Sequence, residues 1–410
     1  MNSTNKDIGK YSSLAITLIL LLSSACLSQG QGKTALEDEE VGNSVANSPP
    51  ITPPAAIRIS MGNNQSSCGV NSSSVLQCWG RNDDPDDSKY GILAQGLSST
   101  ETVNVPSDSS DNSTMYTSVS VGETGACGLT TDENVKCWGG YLSGNGTNGS
   151  EFAPRDIGVS ANFIDVSAGS YHACAITDEG NLYCWGDSWS GKLGHSESGN
   201  YSPNLSQTDF KFQKVAAGRN HTCAITTSKK LRCWGYNNHG QIGDGTNTAQ
   251  PDGVDIDTST DYNFLSTRED TTCAITDTGA LKCWGRNSSG QIGDGTTTAK
   301  SSPVVVDSGV SYKKVSVGVN HVCAITTSDV LKCWGRNSSG QLGDGSTTDS
   351  TSPVIIDSGV SYDEVAAGGV HTCGVTTSGA LKCWGSNSRG EVGVGDTSSR
   401  NVPTQVTSTF

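Results

Sequence analysis

The sequence predicts an all-β fold, a seven-bladed β-propeller with one disulfide-stapled hairpin in each blade. Fourteen of the 15 cysteines fall into seven pairs with nine residues between partners, and successive pairs begin 47 to 59 residues apart. The second cysteine of every pair opens the tripeptide Cys-Trp-Gly. Each period also offers about four short strand-like segments, which is the strand number of a propeller blade.

The cysteine pairs are expected to join the two strands of a hairpin. In the last copy, the apolar segments 373–376 and 380–384 are separated by a three-residue turn that ends in Gly379. Such a turn needs its last residue in the left-handed region, and it places Cys373 opposite Cys383. The same pairing is predicted for Cys68 and Cys78, Cys127 and Cys137, Cys174 and Cys184, Cys223 and Cys233, Cys273 and Cys283, and Cys323 and Cys333.

Facing cysteines in an exported chain favour disulfides over a metal site. Zinc knuckles usually bring their cysteines two to four residues apart, a spacing that the sequence lacks. Disulfides persist outside the cytosol, and each would add roughly 3 kcal/mol to the free energy of unfolding. We therefore expect no metal and no cofactor.

Charge and composition exclude one large class of function. The chain has 26 Lys and Arg against 41 Asp and Glu, a net charge of −15, and it contains 50 glycines. Nucleic acid binding needs clustered cations that neutralise phosphates, so nucleic acid is not an expected partner.

Residues 1–26 are predicted to be a signal peptide. Two lysines precede the apolar run Leu14–Leu22, and small residues lead to Cys26. This end resembles the lipobox of bacterial lipoproteins, which implies that Cys26 is lipidated, although Ser23 stands where a larger aliphatic residue is usual. The alternative is ordinary cleavage near Ala25, which would release a secreted protein.

The body is predicted to begin after a polar tether. Residues 27–55 are acidic and proline-rich, so we expect them not to fold alone, and residues 56–410 should form the propeller. The first repeat lacks the Pro-Val segment that Pro303–Val306 supplies before the sixth. We therefore expect Val402–Val406, at the other end of the chain, to complete blade one and leave no exposed sheet edge.

Four recurrent elements, VAAG, HTCAIT, CWGxN and GQLGDG, follow one another across about residues 57–410. They resemble the regulator of chromosome condensation repeat family, and this resemblance implies a seven-bladed propeller. Nuclear members of that family exchange nucleotide on a small GTPase and bind chromatin, roles that do not suit an acidic exported chain. Secreted bacterial relatives, including one that inhibits β-lactamases by protein contact, imply a binding scaffold.

The loop after each Cys-Trp-Gly is the predicted binding surface. The fifth and sixth copies keep the sequence Arg-Asn-Ser-Ser-Gly there, whereas the first four copies carry aromatic residues. Tyrosine and tryptophan are enriched at interface hot spots, so these residues are expected to form an arc on one rim. The predicted binding residues are Tyr90, Tyr141, Trp189, Tyr236 and His239.

Other chemistry-bearing residues are expected to be structural. The histidines two positions before a hairpin cysteine should hydrogen-bond within their blade; they are His172, His221, His321 and His371. The repeated Gly-Asp-Gly turns should be Asx turns rather than calcium sites; they contain Asp244, Asp294 and Asp344. A richer acidic loop keeps calcium open as an alternative to a solvated loop; it contains Asp83, Asp84, Asp86 and Asp87.

These observations predict an extracytoplasmic binding protein and no enzyme. No nucleophile elbow, closely spaced zinc motif or phosphate loop is present in the sequence. The expected protein is a lipoprotein on a bacterial membrane, at its periplasmic face or the cell surface, or a secreted form. It contacts the membrane only through the lipid anchor and binds an unidentified protein, with a glycan as the alternative ligand.

Overall fold

The computed structural model describes residues 58–63, 65–82, 92–94, 102–111, 113–147, 149, 151–195 and 201–407. All of these residues belong to the propeller. The predicted signal peptide, its Cys26 and the tether lie outside the described residues, as do Tyr90 and the acidic loop of the first repeat.

Seven four-stranded antiparallel sheets form the blades, and each uses one contiguous stretch of chain. The strands of blade 1 are β1 (Arg58–Met61), β2 (Ser66–Val70), β3 (Leu76–Gly80) and β4 (Val103–Asp108). Those of blade 2 are β5 (Tyr116–Val121), β6 (Gly125–Thr130), β7 (Val135–Gly139) and β8 (Glu151–Asp156). Those of blade 3 are β9 (Phe163–Ala168), β10 (His172–Thr177), β11 (Leu182–Gly186) and β12 (Asn204–Ser206), with a 3₁₀ turn at Trp189–Gly191.

The remaining blades repeat this order with little variation. The strands of blade 4 are β13 (Phe212–Ala217), β14 (His221–Thr226), β15 (Leu231–Gly235) and β16 (Gln250–Ile256). Those of blade 5 are β17 (Tyr262–Arg268), β18 (Thr271–Thr276), β19 (Leu281–Gly285) and β20 (Lys300–Val305). Those of blade 6 are β21 (Tyr312–Val317), β22 (His321–Thr326), β23 (Leu331–Gly335) and β24 (Ser350–Ile355). Those of blade 7 are β25 (Tyr362–Ala367), β26 (His371–Thr376), β27 (Leu381–Gly385) and β28 (Arg400–Gln405).

The prediction that Val402–Val406 completes blade one is wrong. The last strand, β28, pairs with β27 in blade 7, and blade 1 has its own outer strand, β4. The prediction assigned the Pro-Val segment to the blade that follows it, whereas Pro303 belongs to β20, the outer strand of blade 5. Each outer strand therefore pairs with the strand that precedes it in sequence.

The fold class and the hairpin register are confirmed. The two cysteines of each pair are directly opposed in the second and third strands, as Cys373 and Cys383 show. All seven disulfides are present, one in each blade. Glycine takes the left-handed turn position in three hairpins, and Ser74, Glu133, Lys229 and Asp329 take it in the others with φ between 61° and 65°.

The hydrophobic cores lie between the blades. Strand residues alternate between the two faces of a sheet, so the cysteine and the tryptophan of Cys-Trp-Gly point to opposite neighbours. The core between blades 5 and 6, for example, contains the disulfide of Cys273 and Cys283 together with Trp334 of the next blade. The same combination recurs in the other six cores. Every disulfide is thus covered by an indole ring.

Each of these seven indoles also donates a hydrogen bond to the preceding blade. Trp334 Nε1 donates to the carbonyl oxygen of Gln291 at 3.0 Å, and Trp138 Nε1 donates to that of Ile92 at 2.7 Å. The other five indoles bond in the same way at 2.8 to 3.0 Å. The acceptor always belongs to the loop that follows a Cys-Trp-Gly, so the indole fixes that loop as well as the core.

Four buried histidines bridge neighbouring blades, so the prediction that they bond within one blade is wrong. His321 Nε2 lies 2.8 Å from Thr372 Oγ1 of the next blade, and that hydroxyl donates to the carbonyl oxygen of Gln341. The histidine must therefore donate through Nε2. Burial lowers the pKa of His221, His321 and His371 to about 3, which keeps these rings neutral.

The seam between blades 7 and 1 is closed by the same contacts, without strand exchange. Trp79 Nε1 donates to the carbonyl oxygen of Glu391 at 2.9 Å, and Ser67 Oγ lies 2.9 Å from His371 Nε2. Arg58 and Glu364 form an ion pair across the inner strands. The outer strands remain edges, and prolines occur at these edges because they cannot donate to a further strand: Pro106, Pro154, Pro203, Pro251, Pro303, Pro353 and Pro403.

Substituting one blade-core tryptophan tests how much the indole bond contributes. Trp334→Phe keeps an aromatic ring in the core but leaves the carbonyl oxygen of Gln291 without its donor. We expect the free energy of unfolding to fall by about 1–3 kcal/mol, measured by chemical denaturation. Trp189→Phe is the control because Trp189 is 54% exposed, and it should leave stability unchanged. An equal loss in both variants would contradict this role.

Candidate functional site

The loops after each Cys-Trp-Gly lie on one face of the ring. Because the strands of a blade alternate in direction, the turn from first to second strand and the loop from third to fourth strand share an end of the sheet. We call this face the loop rim. Its inner part consists of residues 62–63 and 65 and the turns 122–124, 169–171, 218–220, 269–270, 318–320 and 368–370, together with Arg268 at the end of β17. The predicted binding residues within the described chain all lie on its outer part.

Two of the predicted residues form an aromatic pair, which we call the platform: the exposed Trp189 and the half-buried Tyr236. Their ring centroids are 5.1 Å apart at an angle of 39°, across the boundary between blades 3 and 4. Trp189 is 54% exposed, whereas the other seven tryptophans are fully buried. The platform is therefore the one place where the chain shows an indole to solvent.

An ion pair holds the loop that carries Trp189. Lys192 Nζ donates to Asp187 Oδ2 at 2.5 Å and to Asn220 Oδ1 at 2.9 Å, and the Lys192 side chain has no exposed surface. Burial lowers the pKa of Lys192, and Asp187 opposes this shift. Ser190 adopts φ 63°, a left-handed conformation that is uncommon for a residue with a side chain. The platform thus rests on a specifically shaped loop.

Tyr141 does not join the platform but forms a second aromatic group. Its ring lies 5.8 Å from Tyr171 in an edge-to-face arrangement and 6.1 Å from Tyr201. The Tyr171 hydroxyl donates to Glu123 Oε1 at 3.4 Å, and its ring faces the Lys192 ammonium at 5.7 Å. Lys192 therefore links this aromatic group to the loop of Trp189.

His239 lies apart from both aromatic groups. Its Nε2 is 3.8 Å from Asp270 Oδ2, and its side chain is 45% exposed. Asp270 also accepts a hydrogen bond from Gln241 Nε2 at 2.7 Å, and burial raises the pKa of this carboxyl group. The structure therefore places His239 beside an acid of blade 5 rather than in an aromatic arc.

A polar network at the channel mouth was missed from the sequence. Arg268 stands where other blades have glycine, and its guanidinium crosses the channel mouth to donate to Asn63 Oδ1 and the Met61 carbonyl, both at 2.6 Å. It also reaches the carbonyl oxygen of Val121 at 3.2 Å. One side chain of blade 5 therefore ties together blades 1 and 2.

The neighbours of Arg268 extend this network around the mouth. Glu269 pairs with Arg219 at 3.0 Å and accepts a hydrogen bond from Asn63 Nδ2 at 2.6 Å. Burial, followed by the charge of Glu269, raises the pKa of Glu123. The corresponding turns of blades 6 and 7 contain Val319 and Gly369 instead. The inner turns of the loop rim therefore carry a polar network on blades 1–5 and no charged residue on blades 6 and 7.

One sequence signal could have revealed these residues: departure from the repeat at a fixed position. The blade 5 turn reads Arg-Glu-Asp-Thr where blade 6 reads Gly-Val-Asn-His. The blade 3 loop likewise has Asp187 and Lys192 at the positions of Arg336 and Gln341. Tyr201 occupies no repeated position, and the periodic pattern contains no signal for it.

The central channel is lined by the first strands of all seven blades and encloses a cavity of about 280 Å³. Its end away from the loop rim carries the ion pairs of Asp165 with Lys214 and of Glu364 with Lys314, both at 2.9 Å.

The Gly-Asp-Gly turn of blade 4 is an Asx turn, as predicted. Asp244 Oδ1 accepts the backbone N–H of Thr246 at 2.9 Å.

The described residues offer neither a metal-binding cluster nor a membrane-spanning helix. They contain no group of three or more histidine, cysteine, aspartate or glutamate side chains arranged to hold a metal ion. No helix among them is long and apolar enough to cross a membrane.

The chain matches two family descriptions. The RCC1-like domain covers residues 25–360, and the Regulator of chromosome condensation (RCC1) repeat covers residues 363–391. The chain belongs to the RCC1-like family. Its seven disulfides indicate an oxidising, extracytoplasmic environment for this member. No curated protein sequence matches it.

Solved structures agree with an RCC1-like fold. Prp20p from Saccharomyces cerevisiae, studied for its binding to Gsp1p and histones, is 19% identical with a TM-score of 0.71 over 82% of this chain and 86% of its own. Human WBSCR16 is 20% identical with a TM-score of 0.67, over 75% of this chain and 86% of its own. The ACR4 receptor kinase ectodomain of Arabidopsis thaliana is 21% identical with a TM-score of 0.50, over 84% and 97%.

Removing the guanidinium of Arg268 tests whether the mouth network braces this RCC1-like ring. Arg268→Met leaves the carbonyl oxygens of Met61 and Val121 without this donor. We expect the free energy of unfolding to fall by roughly 2–4 kcal/mol, measured by chemical denaturation, because buried partners of a charged group lose their hydrogen bonds. Arg336→Met, on the exposed loop of blade 6, should have no effect, and a similar loss there would refute the brace.

Proposed function

We propose that this protein is an exported, non-enzymatic scaffold that holds a protein partner on the loop rim of blades 2–4. The observation that carries the proposal is the platform, where Trp189 is 54% exposed although seven other tryptophans are buried. An exposed indole on a shaped loop is the kind of anchor that dominates protein interfaces. Pre-organisation of such an anchor also lowers the entropic cost of binding.

A second feature supports the same sector. Both the outer-rim aromatic residues and the channel-mouth polar network depart from the repeat; among the described residues the former occupy blades 2–4 and the latter blades 1–5. Surface loops on a rigid scaffold are where proteins place binding residues. The repeated blades therefore serve as the rigid scaffold, and the loops that depart from the repeat serve as the binding face.

Four of the six histidines are buried and are poorly placed for general-base catalysis. His172, His221, His321 and His371 have no exposed surface and lie at blade interfaces. Burial lowers the pKa of each of them. General bases need access to substrate and a pKa near the working pH, so these histidines fit a structural role.

We also propose that the chain is anchored through a lipid on Cys26, which the lipobox-like end of its predicted signal peptide implies.

The anchor has a direct test. Intact-mass analysis of protein made in a native-like exporting host should show a chain that begins at Cys26 and carries added lipid mass. Reduction with alkylation should then label the fourteen paired cysteines. A Cys26→Ser variant should lose the lipid mass. An unmodified chain that starts at Cys26 would instead support plain secretion.

Site-specific cross-linking tests the binding face. A photo-reactive residue at Asn238, which is exposed beside the platform in blade 4, should form an adduct with a protein in the native host. Ser338 is the equivalent position of blade 6 and should form none. We expect Trp189→Ser to reduce the adduct at position 238 by about tenfold, the loss of roughly 1.4 kcal/mol of binding.

Equal adducts from positions 238 and 338, or an adduct that Trp189→Ser leaves unchanged, would contradict the proposed binding face. Recovery of a glycan instead of a protein at position 238 would favour the lectin alternative.

A further inference from the structure

We infer that Trp189 and Tyr236 form a preformed seat for an arginine side chain of the protein partner, and that Lys192 is the positioning residue that holds this seat. The inference rests on the proposed function and names the chemistry of its binding face. It depends on three features of the loop 187–194: an altered internal bond, a rigid backbone and an uneven distribution of charge.

The side chain of residue 192 donates hydrogen bonds in the loop of blade 3, whereas the side chain at the same position accepts one in the loops of blades 4, 5 and 6. In blades 4, 5 and 6 a glutamine stands at the position of Lys192, and its side-chain oxygen accepts the backbone N–H of the residue two places before it. Gln341 Oε1, for example, accepts from Ser339 at 2.9 Å. Lys192 can only donate, and it donates to Asp187 and Asn220. Asp187 and Lys192 stand at the positions of Arg336 and Gln341 in blade 6, where Arg336 donates to Ser338 Oγ and Gln341 accepts from Ser339.

This substitution gives the loop a shape that presents Trp189. The segment Trp189–Gly191 forms a 3₁₀ turn, and Ser190 has φ 63° and ψ 16° inside it. A β-carbon on Gly191 would lie 2.5 Å from Pro251 of blade 4, which shows that the turn packs closely on the neighbouring blade. The Lys192 carbonyl oxygen also accepts the Trp234 indole and the Thr222 hydroxyl. The seat is therefore fixed from below by the blade interface.

Charge on the accessible side of the loop favours a cationic guest. The ammonium of Lys192 has no exposed surface, whereas the side chain of Asp187 is 38% exposed. Solvent therefore meets the carboxylate of Asp187 rather than the ammonium of Lys192, two residues before the exposed indole of Trp189. A guanidinium stacks on aromatic faces through cation–π attraction and bonds a carboxylate at its edge, and it is more weakly hydrated than an ammonium.

The molecule carries its own reporter for this site. Trp189 is 54% exposed, and the other seven tryptophans are 0% exposed, so acrylamide quenching of tryptophan fluorescence reports mainly on Trp189. The measurement needs no knowledge of the natural partner. It can be made on the full mature chain.

The first arm of the experiment compares Lys192→Gln with Lys300→Gln. Lys192→Gln introduces the residue found in blades 4 to 6, and it should free the loop and raise the quenching of Trp189. Lys300→Gln removes a lysine that pairs with Asp294 at 2.9 Å in a different loop, and it should leave quenching unchanged. Both variants should remain folded at the temperature of the measurement, which circular dichroism checks. Unchanged quenching in Lys192→Gln would overturn the positioning role.

The second arm titrates short Gly/Ser peptides with a single central arginine, lysine or leucine, followed by peptide-observed NMR. We expect millimolar binding of the arginine peptide and binding at least about tenfold weaker for the leucine peptide. Lys192→Gln and Trp189→Ser should each weaken the arginine peptide by about tenfold. Equal binding of the arginine and leucine peptides would overturn the arginine assignment. Saturable binding of chitohexaose or cellohexaose that Trp189→Ser abolishes would also overturn it.

These outcomes are separable from those of the proposed function. If the cross-link at position 238 depends on Trp189 but the arginine peptide does not bind, the binding face stands and the arginine seat fails. If no rim position forms a protein adduct, the binding face itself fails.

Discussion

The contact on which the whole ring depends is the one between each Cys-Trp-Gly indole and the blade before it. The indole covers the disulfide of that blade and donates to a loop carbonyl at 2.7 to 3.0 Å. Because the same tryptophan fills the core and fixes the loop, the frame and the rim are linked by one side chain in every repeat. This contact also closes the seam, where Trp79 bonds the carbonyl oxygen of Glu391 without any exchanged strand.

The periodic features of the sequence predicted the propeller and its blades. The residues that the sequence did not predict are those that depart from the repeat at single positions. The cysteine spacing and Cys-Trp-Gly gave the blade number, the hairpin register and the position of tryptophan between blades. A circular repeat, however, does not mark where a blade begins. In the structure the last strand, β28, pairs with β27, its neighbour in sequence, and not with blade 1. A short connection costs less conformational entropy than a contact that closes the full ring.

The site was predictable only where a departure was large and exposed. Trp189 stood out as an aromatic residue in a polar loop, whereas Lys192 and Arg268 each differ from the repeat at one position. The partners of Arg268 lie 205 and 207 residues away in blade 1, so their meeting depends on ring closure that sequence spacing does not reveal. Tyr141 was expected to lie in one arc with Trp189, but its ring contacts Tyr171 and Tyr201 instead.

The proposed binding face consists of loops whose sequence departs from the repeat. Its most direct test is to replace such a loop with the repeat sequence of another blade. A chimera carries the eight residues 336–343 of blade 6 in place of residues 187–194, and a control carries them in place of 386–393 in blade 7. After chemical cross-linking in the native host, we expect the blade 3 chimera to remain folded but lose its partner, while the control remains folded and retains its partner. A blade 3 chimera that still holds its partner would contradict a binding face on these loops.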